Sequence, residues 1–353
     1  MQKRALLKKK LPELGVDGVL VTDIINLRYL TGFTGSSGFF FITKKHSVFV
    51  TDFRYQEQAK KEVEGCIVRV AASKKTDTVN DLVHEFGVKK LGFEAHNVSF
   101  QTYKDLKRKH IKLKPLTDTV EDLRIIKSQT ELFYVKKAVR RAEKAFRRLL
   151  PHIKTGATEQ KLAVKLEGLL KEEGCKMTPF GVIVASGLMS ALPHAKPTSR
   201  VIKKGDCILF DWGGECEGYY SDMTRMVALK GRHPVKQLEM YSVALAAQKR
   251  AMDTIKPGVK ASAIDSAARG YIRRMGYGEH FGHGTGHGVG LAVHEKPFIS
   301  WRSRKTVEAG MIFTIEPGIY LPDTGGVRIE DMVHVTNSGA EVLTTLPRKL
   351  KII

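Results

Sequence analysis

Cysteine is scarce, with four in 353 residues, at positions 66, 175, 207 and 216 and with no C-x-x-C pair among them. A dithiol redox motif and a cysteine zinc site are therefore absent, and a disulfide framework is not expected at this length. No window approaches the ~20 consecutive apolar residues of a membrane span. The first residues, Met1-Gln-Lys-Arg-Ala-Leu-Leu-Lys8, carry charge where a secretory signal would be apolar. A cytoplasmic location with no membrane partner is the expectation. Acidic residues are in deficit, 37 against 59 Lys and Arg, for a net charge of +22. The excess is spread along the chain, and the basic runs Lys8–Lys10, Lys107–Lys109 and Arg302–Lys305 are short. They read as solvated faces, so nucleic acid is not expected as a partner. With 42% apolar and 27% charged residues, wholesale disorder is excluded and a soluble chain of about two domains is implied.

The first third alternates short apolar runs with amphipathic stretches, the rhythm of an α/β layer structure. Residues 19–22, 38–42, 48–51 and 66–70 read as strands, and 53–62, 78–85 and 100–107 have helical composition. A polar join at 117–128 places the domain boundary, giving residues 1–124 and 125–353. Ser128-Gln-Thr-Glu131 has the form of a capping box, in which hydroxyl and carboxylate satisfy amides at a helix start. A long helix follows, then a second from about 159 to 174. Strands are expected at 181–186, 207–212, 219–228, 311–320 and 327–335, and helices at 235–255 and 262–275. The second half is thus α+β.

Four carboxylates stand in or beside these strand-like runs: Asp211, Asp222, Glu316 and Glu330. Burying a carboxylate beside apolar sequence is costly unless it is paired or bound to a metal, so four together point to something cationic that collects them. Two divalent ions would do so. Asp211 and Asp222 are separated by a glycine-rich turn that would bring two strands, and both acids, to one place. Phe281-Gly-His283-Gly-Thr-Gly-His287-Gly-Val-Gly-Leu-Ala-Val-His294-Glu295 sets three histidines among alternating glycines. The glycines permit close approach of a ligand or another backbone, and imidazole is a common ligand for divalent metals. The dinucleotide fingerprint, the helix-borne H-E-x-x-H site, the nucleophile elbow and the P-loop all fail on position. A mostly oxygen donor set with one histidine suits Mn²⁺ or Co²⁺, with Zn²⁺ and Fe²⁺ also compatible.

In this order, two Asp, one His and two Glu in Phe-Asp211-Trp-Gly, Tyr-Ser-Asp222-Met-Thr-Arg, Gly-His287-Gly, Ile-Glu316-Pro-Gly and Arg-Ile-Glu330-Asp, the residues resemble the pita-bread metallopeptidases. That family contains methionine aminopeptidases, aminopeptidase P and prolidase. The resemblance implies a pita-bread catalytic domain behind a smaller creatinase-like N-terminal domain, and a homodimer. It implies that Asp222 and Glu330 bridge two metal ions, that Asp211 binds one and that His287 and Glu316 bind the other, with Glu316 also moving protons. His194 and His294 match substrate-facing histidines, while His283 and Arg328 match accessory active-site positions. The N-terminal domain, the segment Asn26–Gly38 and the run Ala191-Leu-Pro-His194 resemble the proline-specific branch. Its reaction is hydrolysis of the bond between an N-terminal residue and a following proline by a metal-bridged hydroxide. Gly32-Phe-Thr-Gly-Ser-Ser-Gly38 resembles aminopeptidase P, which takes longer peptides, somewhat more than prolidase, which takes dipeptides. An inactive relative that binds nucleic acid or protein is the remaining alternative, opposed by the complete ligand set.

Overall fold

The computed structural model describes residues 2–108, 111–178 and 180–353, so Lys109 of the second basic run lies outside the described residues. The described residues of all three runs sit at the surface. The chain divides into two compact units, Met1–Arg124 and Ile125–Ile353.

The first unit runs α1 (Gln2–Leu14), β1 (Gly18–Val21), α2 (Ile24–Thr31), β2 (Phe39–Thr43), β3 (Ser47–Thr51), α3 (Gln56–Glu62), β4 (Ile67–Val70), α4 (Lys75–Glu85), β5 (Lys90–Glu94), α5 (Phe100–Leu106), β6 (Lys112–Leu116) and α6 (Glu121–Arg124). Its six strands form one sheet in the order β4-β3-β2-β1-β5-β6. β2 is antiparallel to β1 and β3, whereas β1, β5 and β6 are mutually parallel, as are β3 and β4. Leu20, Phe41, Val48, Val50, Leu82 and Leu91 fill the core on one face. Glu94 is buried at the end of β5 and accepts from the amides of Thr22 and Asp23 at 2.6 and 2.7 Å and from Asn26 Nδ2 at 2.7 Å. It ties the start of α2, which Asp23 caps through the Ile25 and Asn26 amides, to the sheet. His96 and Glu121 stand close to it, but Glu94 is fully engaged as a structural clasp.

The second unit begins with α7 (Gln129–Leu149) and α8 (Glu159–Glu172), followed by β7 (Ile183–Ser186), β8 (Cys207–Trp212), β9 (Glu215–Cys216), β10 (Tyr219–Tyr220), β11 (Met223–Ala228), α9 (Val235–Thr254) and α10 (Ala261–Arg274). Then come β12 (Gly286–Gly288), β13 (Glu295–Ile299), β14 (Ile312–Ile315), β15 (Gly318–Leu321), β16 (Gly325–Arg328), β17 (Asp331–Thr336), β18 (Gly339–Val342) and β19 (Lys351–Ile352). One sheet has the order β19-β11-β8-β7 and another β13-β12-β14-β17-β18, and β9/β10 and β15/β16 are separate hairpins. Helices α9 and α10 pack on these sheets through Ala244, Ala247, Ala251, Ile264, Ala268 and Ile272. The small alanines allow that close approach. On another side of β8, Trp212 stacks on Phe146 of α7 at 4.2 Å and donates its indole N–H to the Ala142 carbonyl.

The capping box forms as the sequence implies, with the Ser128 hydroxyl accepting from the Glu131 amide and the Glu131 carboxylate accepting from the Ser128 amide. Ser128→Ala is expected to cost about 1 kcal/mol, read as a lower midpoint in urea with an unchanged slope.

Two expectations change. The 219–228 run is two strands, and so are 311–320 and 327–335, each interrupted at a short segment: Ser221-Asp222, Glu316-Pro317 and Ile329-Glu330. The breaks suspend strand alternation where a carboxylate must turn toward the others. The strands β5, β6, β9, β12, β13, β18 and β19 and the helices α1, α2 and α6 add to those read from sequence. The overall class is α+β, with the pita-bread arrangement in the second unit.

Candidate active site

The site lies within the second unit. Asp211 is the penultimate residue of β8, and β11 pairs with β8 so that Thr224 faces Asp211 across the ladder. The break before β11 places Asp222 beside it. β14 and β17 are antiparallel neighbours, and the segments leaving β14 and entering β17 bring Glu316 and Glu330 to the same place.

His287 comes from β12, which is glycine-rich for a steric reason. A Cβ at 286 would lie 1.9 Å from the Thr314 carbonyl oxygen, and one at 288 would lie 2.2 Å from that of Lys296. The preceding loop is pinned by buried Asp265 of α10, which accepts from the Thr285 hydroxyl at 2.8 Å and pairs with Arg269, which in turn donates to the carbonyls of Phe281 and His283. The His287 amide donates to Thr314 Oγ1 and its Nδ1 lies 3.2 Å from the Gly288 carbonyl. With a proton on Nδ1 for that bond, the Nε2 lone pair faces the acids.

The donor atoms converge. Oxygens of Asp211, Asp222 and Glu330 lie within 4.8 Å of one another, as do donors of His287, Glu316 and Glu330, and of Asp222, His287 and His294. His287 Nε2 is 3.6 Å from Asp222 and 3.4 Å from Glu316. Burial, reinforced by Glu330, Asp211 and Glu316, pushes the Asp222 carboxyl well above its ordinary value. Burial also drives Glu330 up strongly, with Glu316 and Asp211 adding to it, and raises Glu316. The imidazoles of His283, His287 and His294 are all lowered, chiefly by burial, and so favour the neutral form that binds metal.

Arg328, on β16, is the countercharge. It donates to Thr224 Oγ1 at 3.1 Å, the Pro193 carbonyl at 3.2 Å, the Tyr320 hydroxyl at 2.9 Å and Asp211 Oδ2 at 2.5 Å. Burial opposes its charge, but Tyr320, Asp211, Glu316 and Glu330 around it prevail and hold it protonated. One arginine does not balance four carboxylates, and the buried Asp211 Oδ1 has no hydrogen-bond partner among the described residues. An excess of buried negative charge, an orphaned carboxylate oxygen and a neutral imidazole together fit divalent cations.

These groups line a cavity of about 860 Å³ whose wall includes His194, His283 and His294. His194 and His294 are exposed, His294 with its ring 4.2 Å from that of His287, and His283 bonds the Tyr320 hydroxyl at 3.0 Å. All nine side chains singled out from sequence thus meet around one cavity. Sequence reasoning missed Thr224, which donates to Glu330 Oε2 at 2.8 Å, and Tyr320, which links Arg328 to His283. Thr224 faces Asp211 across the β8–β11 ladder, a neighbour that the sequence shows only once the register of the two strands is known. Tyr320 carries no such signal, because the break at Pro317 resets the alternation.

A buried carboxylate and histidine centre on this fold defines a metal-dependent peptidase. Residues 134–337 match metallopeptidase family M24 and residues 3–126 match the Creatinase/Prolidase N-terminal domain, and the chain belongs to that family. Among its relatives, an Xaa-Pro dipeptidase of Pyrococcus horikoshii is 39% identical over 95% of this chain and 94% of its own length. The solved Xaa-Pro dipeptidase from Bacillus anthracis superposes with a TM-score of 0.97 at 41% identity, covering 100% of this chain and 99% of that one. An X-Pro aminopeptidase from Thermotoga maritima superposes at 0.90 with 36% identity, covering 98% of this chain and 100% of that one. Among the described residues no helix is long and apolar enough to cross a membrane.

Proposed function

We propose that this chain is a metal-dependent Xaa-Pro dipeptidase. The convergence of Asp211, Asp222, His287, Glu316 and Glu330 on one buried point carries the reading. The expectation from sequence leaned toward aminopeptidase P, and the weight of the relatives moves the preference to the dipeptidase. Glu330, Asp222 and His287 each belong to two of the donor groups, and of these the two carboxylates, with two oxygens apiece, are the ones that would serve a pair of ions at once. Asp211 would complete one ion's set, and His287 with Glu316 the other's. When bound, two such ions supply an activated water at neutral pH and polarise the carbonyl it attacks.

The chain's own groups supply the rest. Glu316, open to the cavity and steadied by the Thr314 hydroxyl at 3.2 Å, takes a proton and returns it to the leaving nitrogen. Cleavage of the amide leaves the proline nitrogen one proton short, and the proton that Glu316 takes from the attacking water is the one it returns there. His294, whose imidazole is lowered by partial desolvation at the cavity wall and by neighbouring His287, donates a hydrogen bond to the oxygen on which charge develops. His194 lies on the cavity wall as a further contact for the substrate.

The test is hydrolysis of Ala-Pro and Ala-Pro-Ala by chelator-treated protein before and after addition of Mn²⁺. Restored cleavage of Ala-Pro with little of the tripeptide is the expected result. Preferential cleavage of the tripeptide would return the reading to aminopeptidase P, and no cleavage of either with Mn²⁺, Co²⁺, Zn²⁺ or Fe²⁺ would overturn it.

A further inference from the structure

We propose that Lys196 reads the free carboxylate of the substrate's proline and so restricts the site to dipeptides. The inference deepens the dipeptidase reading and rests on it. In Xaa-Pro the C-terminal carboxylate is attached directly to the proline ring, one residue from the bond that is cut. In a longer peptide the same position is a neutral amide. A site that separates the two must place a cation within reach of the chemistry, in a cavity whose metal-side wall is otherwise acidic.

Two Lys or Arg residues line the cavity among the described residues, Arg328 and Lys196. Arg328 is committed: it is buried and spends its donors on Thr224, Pro193, Tyr320 and Asp211. Lys196 is exposed, and its ammonium has no hydrogen-bond or ion-pair partner among the described residues. It stands two residues after His194 on a stretch anchored at both sides. Ala195 is buried and its amide donates to the Leu192 carbonyl at 3.1 Å, while Thr198 donates to buried Glu159 through its amide at 3.0 Å and its hydroxyl at 2.6 Å. Pro197 restricts the Lys196 backbone further. A fixed backbone with a free ammonium delivers a charge to one region of the cavity without holding it in a competing ion pair. Ala163, Ile183, Pro193, Pro197 and Phe298 give the same cavity apolar wall for a pyrrolidine ring.

The experiment compares Ala-Pro with its C-terminal amide, Ala-Pro-NH₂, using metal-loaded wild type, Lys196→Met and Lys196→Arg. Wild type is expected to prefer the acid. Lys196→Met should raise KM for Ala-Pro about tenfold to a hundredfold, the range for loss of a charge-assisted hydrogen bond, with kcat and the amide's kinetics nearly unchanged. Lys196→Arg should recover most of the loss. An unchanged KM for Ala-Pro in Lys196→Met, equal loss on acid and amide, or a wild type that takes the amide as readily as the acid overturns the assignment while leaving a proline-specific peptidase standing. A wild type inactive on both substrates removes the dipeptidase reading itself.

Discussion

Asp222→Asn is expected to abolish metal-dependent hydrolysis while making the metal-free protein more stable. Loss of one shared carboxylate removes transition-state stabilisation worth several kcal/mol, roughly a thousandfold or more in rate. In the metal-free state the same carboxylate is a liability. It is buried, and Glu330, Asp211 and Glu316 around it raise its pKa further. The neutral amide keeps the shape and drops the repulsion, a gain of about 1 kcal/mol, or ~2–4 °C for a unit of this size. The pH dependence follows from the direction of the shift. A carboxyl whose folded pKa is raised contributes its stability below the unfolded value of about 3.8 and loses it as pH rises through the folded pKa. The stability gap between Asp222→Asn and wild type, measured by thermal melting in chelator, should therefore widen from pH 4 toward pH 8. A gap that narrows, or a variant less stable than wild type throughout, would show that these carboxylates are relieved by something other than protonation.

Arg328→Met should move stability the other way. The guanidinium is the one buried cation in direct contact with the acids among the described residues, and four polar groups lean on it. Removing one partner of a buried charged network leaves the others unpaired, at a cost of about 3–5 kcal/mol, a fall of roughly 10 °C in the metal-free protein. Asp211→Asn in the same chain should recover a large part of that loss, because Asp211 Oδ2 is the carboxylate atom the guanidinium touches. Melting curves of the two single variants and the double variant measure the coupling directly. A double variant no more stable than Arg328→Met alone would remove Asp211 as the partner that matters. In the metal-loaded enzyme, Arg328→Met should cost about 10–100-fold in metal affinity or activity, the usual range for a group that orients a ligand.

Much of this site was legible in sequence because acids beside apolar runs are improbable without a reason, and five donors in order leave few folds to choose from. What was illegible has physical causes. Helix α1 is lysine-rich and contains Pro12, and Leu7 and Leu11 are the apolar residues it buries, so its periodicity is faint. Strands β5 and β6 carry no assignment from sequence, with charges at Lys90, Glu94, Lys112 and Lys114. β6 is an edge strand, where Lys112, Lys114 and Pro115 are tolerated because one side of its ladder has no neighbour. Strand β12 is three residues of Gly-His-Gly, a pattern with no strand propensity whose extended form is imposed by the close carbonyls of Thr314 and Lys296. Lys196 is one of many surface-type lysines, and only the three-dimensional structure shows that it lacks a partner among the described residues while Arg328 has four.

The breaks that turn Asp222, Glu316 and Glu330 out of their strands also set when the enzyme can first work. Thr224 and Glu330, bonded in the finished site, are 106 residues apart in the chain, and contacts of that separation close late in folding. During synthesis the segments bearing Asp211, Asp222 and His287 leave the ribosome well before Glu330 does, so the donor set is incomplete until β17 has been made and has paired with β14. A growing chain of this protein consequently lacks its complete donor set until the last strands of the second unit have been made.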